Sequence, residues 1–189
     1  MLKKGKIFKQ SVNITDMKDL TRRETEVLLE IIKNCKKSDQ EIARKVNTSR
    51  QTILKIRKKL ENLGIIRKYL SLVDFSKLGF NVHAVIMYRW KDYSKKKEFE
   101  ETTNFIKTQP EIILFIKGEG NGNKTDLIIS IHETLKEYEK FIRKLKFFWK
   151  DNVDELEIFL STTENINKDY DFSSFLIKKF ENKKFEFET

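Results

Sequence analysis

Between residues 20 and 68 apolar positions recur at helical spacing in three short blocks, each opened by residues able to cap a helix. In the first, Thr21 and Glu24 form a capping box, and Val27, Leu28, Ile31 and Ile32 share one face of a helix running through Asn34. In the second, Ser38 and Glu41 repeat the signature ahead of Ile42, Ala43 and Val46. In the third, Thr48 and Gln51 precede Ile53, Ile56, Leu60 and Leu63, whose spacings of three, four and three put all four on one face. Gly64 then closes the helix, as the residue best able to take left-handed backbone angles. With that face buried, Gln51, Lys55, Lys58 and Asn62 point outward, with Arg50 and Leu54 on the flank. Two capped helices around a tight corner, the second cationic outward, predict a helix-turn-helix that reads the DNA major groove. The apolar run IIRKYLSLV (65–73) predicts a strand or two forming a wing, with Arg67 and Lys68 toward the DNA backbone.

Beyond residue 80 the pattern changes. NVHAVIMYRW (81–90), IILFIKG (112–118), DLIISIH (126–132) and ELEIFLST (155–162) read as strands. Helices are predicted at 94–110, with Phe99, Thr102 and Ile106 inward and Pro110 as the stop, and at 134–148, with Leu135, Tyr138, Phe141 and Leu145 on one face. The order β-α-β-β-α-β is that of a ferredoxin-like sandwich, an antiparallel sheet with both helices on one side. The fold class is therefore α+β, a winged helix-turn-helix followed by this sandwich. The divisions are a basic N-terminal arm (1–19), the DNA-binding domain (20–73), a linker (74–80), a regulatory and oligomerisation domain (81–163) and a C-terminal extension (164–189). In the extension SSFLIKKF suggests one or two helical turns, and the alternating KFEFE could add a strand.

Charge sharpens the first domain. Of the 189 residues 36% are charged and the formal net charge is +10. Residues 36–68 alone hold 11 Lys and Arg against 3 acids, and six of the eight arginines precede residue 70. Any amphipathic helix in a lysine-rich chain exposes lysines, but lysine bias by itself would not localise charge or arginine in this way. Arginine adds bidentate geometry toward phosphate and guanine. A polyanion-facing domain attached to a near-neutral one fits this asymmetry. Cys35, the one cysteine, excludes an intrachain disulfide and reads as a small buried residue at a helix end. His83 and His132 have no metal-ligand spacing, so neither metal nor cofactor is expected. No apolar run approaches membrane-spanning length and MLKKGKIFKQ lacks a signal-peptide core, which points to the cytoplasm. GEGNGNKTD lacks the G-K-[ST] ending of a phosphate loop and precedes a strand, so it reads as a hairpin loop. Asp151, Asp154, Glu155 and Glu157 read as a solvated loop, Phe75 and Phe80 as hinge packing, and Phe147, Phe148 and Trp149 as core or self-association surface.

The segment GIIRKYLSLVDFSKLGF (64–80) resembles the Lrp/AsnC family of prokaryotic transcriptional regulators through Gly64, Ile65, Ile66, Arg67, Tyr69, Asp74, Lys77, Leu78 and Gly79. Pro110, Glu111 and Gly118 fit the same family's ligand-sensing domain, so the resemblance spans about residues 20–163. It implies a homo-oligomer, dimeric or larger, on double-stranded DNA, and a small-molecule effector such as an amino acid held near Gly118 and Asp126. Base-reading and phosphate contacts are assigned to Ser49, Arg50, Gln51, Thr52, Leu54, Lys55 and Lys58 on the recognition helix, and to Lys36, Lys37, Arg67 and Lys68 around it. Three features depart from the family: Arg57 follows Ile56 where an apolar residue is more usual, EGNGNKT stretches the short turn between Gly118 and Asp126, and both tails are additions. The stretched turn counts against a response to common amino acids. Two other functional classes stay open, a sequence-tolerant architectural DNA binder and an enzyme resembling the haem-pathway decarboxylases.

Overall fold

The computed structural model describes residues 20–168 and 171–186. The chain divides into two compact units. One comprises the N-terminal residues through Leu72 together with the C-terminal helix, and the other comprises Val73–Asp169. The arm over residues 1–19 lies outside the described residues.

The first unit is a bundle of α1 (Arg22–Lys33), α2 (Asp39–Lys45), α3 (Arg50–Asn62) and the C-terminal helix, α6 (Ser173–Glu186). Both predicted capping boxes at Thr21 and Ser38 form, each with the reciprocal bond in which the N-cap backbone N–H donates to the carboxylate of the glutamate three residues on. The third cap is one residue later than the pattern suggests. Asn47 takes a left-handed φ of 52°, Thr48 N–H donates to Ala43 O, and Ser49 accepts the Thr52 N–H. Val27, Leu28, Leu29, Ile31, Ile42, Ala43, Ile53, Ile56 and Leu60 make the core, and Leu176 and Ile177 of α6 pack against it. Three sequence expectations fail here. Leu63 is 56% exposed because the helix ends at Asn62, before its next inward turn. Cys35 is exposed, since it lies past the end of α1 in a turn. The wing strand is absent: residues 65–73 have no ladder partner among the described residues, and Leu70 and Leu72 are left 77% and 61% exposed. A strand is defined by its pairing, so apolar and β-branched content without a partner gives extended chain. The C-terminal extension also differs, because α6 has 14 residues and takes in residues 184–186 of the KFEFE segment proposed as a strand. Helical packing of Leu176 and Ile177 on α1 outweighs the local alternation.

The second unit has β1 (Val82–Trp90), α4 (Lys96–Thr108), β2 (Ile112–Lys117), β3 (Asp126–His132), α5 (Leu135–Trp149) and β4 (Val153–Thr162). The sheet order is β2-β3-β1-β4 with every pair antiparallel. That is the ferredoxin-like arrangement. Ala84, Ile86, Tyr88, Trp90 and Ile128 on one sheet face meet Ile106, Tyr138, Phe141, Leu145 and Trp149 from the two helices. Leu135 is not on this buried face but 51% exposed, because it occupies the first turn of α5 beyond the sheet's reach. Trp149 replaces it four residues past Leu145. Phe147 stays 77% exposed while Phe148 stacks on Phe105 at 3.6 Å. Phe75 and Phe80 pack edge to face, their ring centroids 6.4 Å apart. Of the acids expected in a loop, Asp151 does lie in the turn before β4, but Asp154, Glu155 and Glu157 belong to β4, which starts two residues earlier than expected and carries a bulge opposite Met87 and Arg89. There Asp154 and Glu155 bind Arg89, and Glu157 binds Lys124 at 2.8 Å, so strand pairing and ion pairs absorb their charge.

Candidate nucleic-acid interface

The α2–α3 corner is held by ties that leave one face of α3 free. Arg57 points back from α3: Nε and Nη2 donate to Asp39 Oδ1 at 3.0 and 2.8 Å, and Nη1 donates to the Tyr69 hydroxyl at 3.1 Å. That hydroxyl donates to Glu61 at 2.8 Å, and the guanidinium lies 5.5 Å from the Tyr69 ring centroid. The residue that departs from the family pattern is thus a brace joining α2, α3 and the chain that follows. It was missed as a structural residue because its partners lie 18 and 12 positions away, outside any local pattern. Lys59 binds Glu24 at 2.7 Å, tying α3 to α1. Burial alone would raise the Glu24 pKa, but hydrogen bonds from Lys59 and Thr21 hold it below the ordinary carboxylate value.

With the inward side occupied, Arg50, Gln51, Leu54, Lys55 and Lys58 are exposed on the other side of α3, as the 3.6-residue period requires. Among the described residues Arg50, Lys55 and Lys58 enter no ion pair, whereas α3's other two cations do. Leu54 is 47% exposed in the middle of this polar face. Ser49 and Thr52 are engaged in the cap, their hydroxyls 2.8 Å apart.

The flanking cations separate into two kinds. Lys36, Arg67 and Lys68 are exposed, and none is in an ion pair among the described residues. Lys37 is not free: it binds Glu30 at 2.6 Å, with Lys45 3.3 Å from the same carboxylate. Opposing the effect of its burial, these two cations keep Glu30 below its ordinary pKa.

Gly118 and Asp126 are brought together at the base of the β2–β3 hairpin, where Gly118 N–H donates to Thr125 O at 2.9 Å and Lys117 pairs with Asp126 across the ladder. Asp126 is only 4% exposed, its carboxylate accepts the Thr125 hydroxyl at 2.6 Å, and burial pushes its pKa up. A cleft of about 580 Å³ in the same unit lies elsewhere, around Phe75, Phe80, Glu111, His132 and Phe141. Neither Gly118 nor Asp126 lines it. No cluster able to hold a metal occurs among the described residues, and no helix of theirs is long and apolar enough to cross a membrane.

Residues 20–67 match the family model for winged helix-turn-helix DNA-binding domains. The first class this defines is a DNA-binding module of that kind joined to a ferredoxin-like unit. An uncharacterized HTH-type transcriptional regulator of Pyrococcus horikoshii, PH0061, is 33% identical over 75 residues, 40% of this chain and 50% of its own length. The chain thus aligns with half of that relative. The HTH-type transcriptional regulator LrpC of Bacillus subtilis is 28% identical over 119 residues, 62% of this chain and 78% of its own. Among solved structures, the regulator NMB0573 of Neisseria meningitidis in complex with L-Met superposes with a TM-score of 0.65 at 16% identity, over 80% of this chain and 95% of that one. Solved AsnC and LrpC structures share the same two-unit fold. The chain therefore shares the fold of these AsnC and LrpC structures, and its residues 20–67 are of the winged helix-turn-helix kind.

Proposed function

We propose that this chain is a sequence-specific transcriptional regulator that binds DNA through α3 as a dimer or larger assembly. The observation that carries the reading is the face of α3 bearing Arg50, Gln51, Leu54, Lys55 and Lys58, exposed and free of ion pairs among the described residues, on a helix braced from behind by Arg57 and Lys59. Gln51 suits a bidentate pair with adenine, Leu54 a thymine methyl, and Arg50 guanine or phosphate. Lys36, Arg67 and Lys68 suit phosphate, which positions the protein without reading sequence. Lys37 contributes to the field while its ammonium is shared with Glu30. The relatives named as transcriptional regulators support this over the architectural and enzymatic alternatives.

Self-association through the ferredoxin-like unit places two copies of α3 on one duplex, about 34 Å apart or a multiple of that. The protein acts in the cytoplasm, where its DNA is. The L-Met complex of NMB0573 supports a small-molecule effector for this chain too. The long hairpin between Gly118 and Asp126, with the Asp126 side chain buried, argues for a weak response to common amino acids at that position. The test is binding of the intact protein to random and to selected duplexes across a salt series, with light scattering on the same samples. A selected site bound at least about a thousandfold more tightly than random DNA, by a dimer or larger species, supports the reading. Equal affinity for both duplexes favours the architectural alternative, and a monomer on DNA contradicts the assembly.

A further inference from the structure

The DNA-binding unit contains a cavity of its own, of about 420 Å³, in the size range of small-molecule sites. Its walls are Leu28, Ile31 and Ile32 of α1, Ile65 and Ile66 after α3, and Leu176 of α6. Among the described residues, the side chains in it that carry charge are Arg67 and Lys68, and no acid lines it. Neither cation is in an ion pair among the described residues. Apolar walls and two unneutralised cations are complementary to one chemistry, an apolar tail ending in an anion.

We propose that this cavity binds a small apolar-tailed anion, a medium-chain carboxylate or the corresponding alkyl phosphate, with its head on Arg67 and Lys68. The same two cations are those assigned above to DNA phosphates. A head group that neutralises them removes DNA contacts, so ligand and DNA compete. This second half rests on the DNA-binding reading, whereas occupancy of the cavity does not. The helix α6 belongs to the device, since Leu176 supplies one wall. The C-terminal extension then has a role, forming an effector site on the DNA-binding unit itself, separate from Gly118 and Asp126.

Cys35, the sole cysteine, is exposed and lines the cavity, which supplies a local reporter. The experiment follows maleimide alkylation of Cys35 in the intact protein without DNA, with octanoate, octyl phosphate, octanol and octylammonium below their micelle concentrations. Equilibrium dialysis of labelled hexanoate, heptanoate and octanoate gives affinities. The two anions are expected to slow alkylation at least tenfold at saturation, and which of them binds more tightly identifies the head group. The alcohol and the ammonium should not protect. Each added methylene should lower Kd about fourfold, the factor corresponding to about 0.8 kcal/mol per buried CH₂. The double variant Arg67→Gln, Lys68→Gln should raise Kd about tenfold, and Leu176→Trp, which fills the cavity, should abolish protection while Cys35 still reacts. Protection by octanol or octylammonium equal to that by octanoate, no protection by either anion, or an unchanged Kd in the double variant overturns the site. Protection of Cys35 with unchanged affinity for random duplex overturns the competition. Absence of any DNA binding, with Cys35 still protected, refutes the proposed regulator and leaves the anion site supported.

Discussion

Arg57→Met tests whether the brace behind α3 holds the interface together. The substitution keeps most of the stem and removes hydrogen bonds of 3.0 and 2.8 Å to Asp39 and 3.1 Å to Tyr69. It leaves the Asp39 carboxylate, whose side chain is 16% exposed, without its counter-charge. Removing one partner of a fully buried pair costs about 3–5 kcal/mol, and an exposed pair is worth at most about 1. At 16–17% side-chain exposure for the two partners the pair lies between these limits, nearer the buried one, so a loss of about 2 kcal/mol is expected. Both tryptophans, Trp90 and Trp149, are in the second unit, so their fluorescence is blind to this change and serves as a control. The assay is hydrogen exchange of the α1–α3 amides in the intact chain, with tryptophan-detected urea unfolding in parallel. Opening free energies across α3 should fall by about 2 kcal/mol while the tryptophan transition stays put. A cycle with Asp39→Asn should return a coupling of about 1 kcal/mol. A change in α3 opening below about 0.5 kcal/mol, or coupling indistinguishable from zero, would refute the argument that Arg57 is a structural brace.

Two further outcomes are expected. Asn47 holds the α2–α3 corner with φ of 52°, so Asn47→Ala should lower stability of the first unit by about 1 kcal/mol and Asn47→Gly should change it little. Exchange of the α2 amides reads this, and equal effects of the two variants would contradict it. Burial holds both His83 and His132 below the ordinary histidine value of 6.5, the nearby Glu111 and Glu137 only partly offsetting this at His132. Between folded and unfolded values the unfolded chain binds the proton and the folded chain does not. Stability of the second unit is therefore complete above about pH 6.5 and falls as pH drops below it, by at most about 1.4 kcal/mol per pH unit for each histidine. Asp126, raised by burial, works the other way at lower pH. The tryptophan-detected urea midpoint should be lower at pH 5.5 than at 7.5, with part of the difference lost in His132→Gln; an equal or higher midpoint at pH 5.5 contradicts the assignment.

The elements read most easily were those whose information is local. Caps at Thr21 and Ser38 and the Ile53, Ile56, Leu60 stripe carry their geometry within one or two turns, and they form as read. The apolar runs at 81–90 and 126–132 likewise read as strands, and their pairing follows from the β-α-β-β-α-β order. What failed depended on partners distant in sequence. Residues 65–73 have strand composition but no ladder partner among the described residues. Lys37 looked free until α1 brought Glu30 to it, and Arg57 looked like a misplaced cation until Asp39 and Tyr69 surrounded it. The left-handed turn at Asn47 moved the α3 cap from Thr48 to Ser49, a one-residue shift that no helical period encodes. The outward face of α3 was legible because it is the complement of a buried stripe. The cavity under Leu176 was not, because it needs α6 to pack on α1.

The most direct test of the central claim compares Gln51→Ala with Lys68→Ala on a selected duplex and on random DNA across several salt concentrations. Gln51 lies on the face assigned to base reading, so its loss should cost about 1–3 kcal/mol on the selected site and little on random DNA. Lys68, assigned to phosphate, should weaken both duplexes alike and lower the salt slope by about one unit. Equal losses on the two duplexes for Gln51→Ala would contradict base reading by α3.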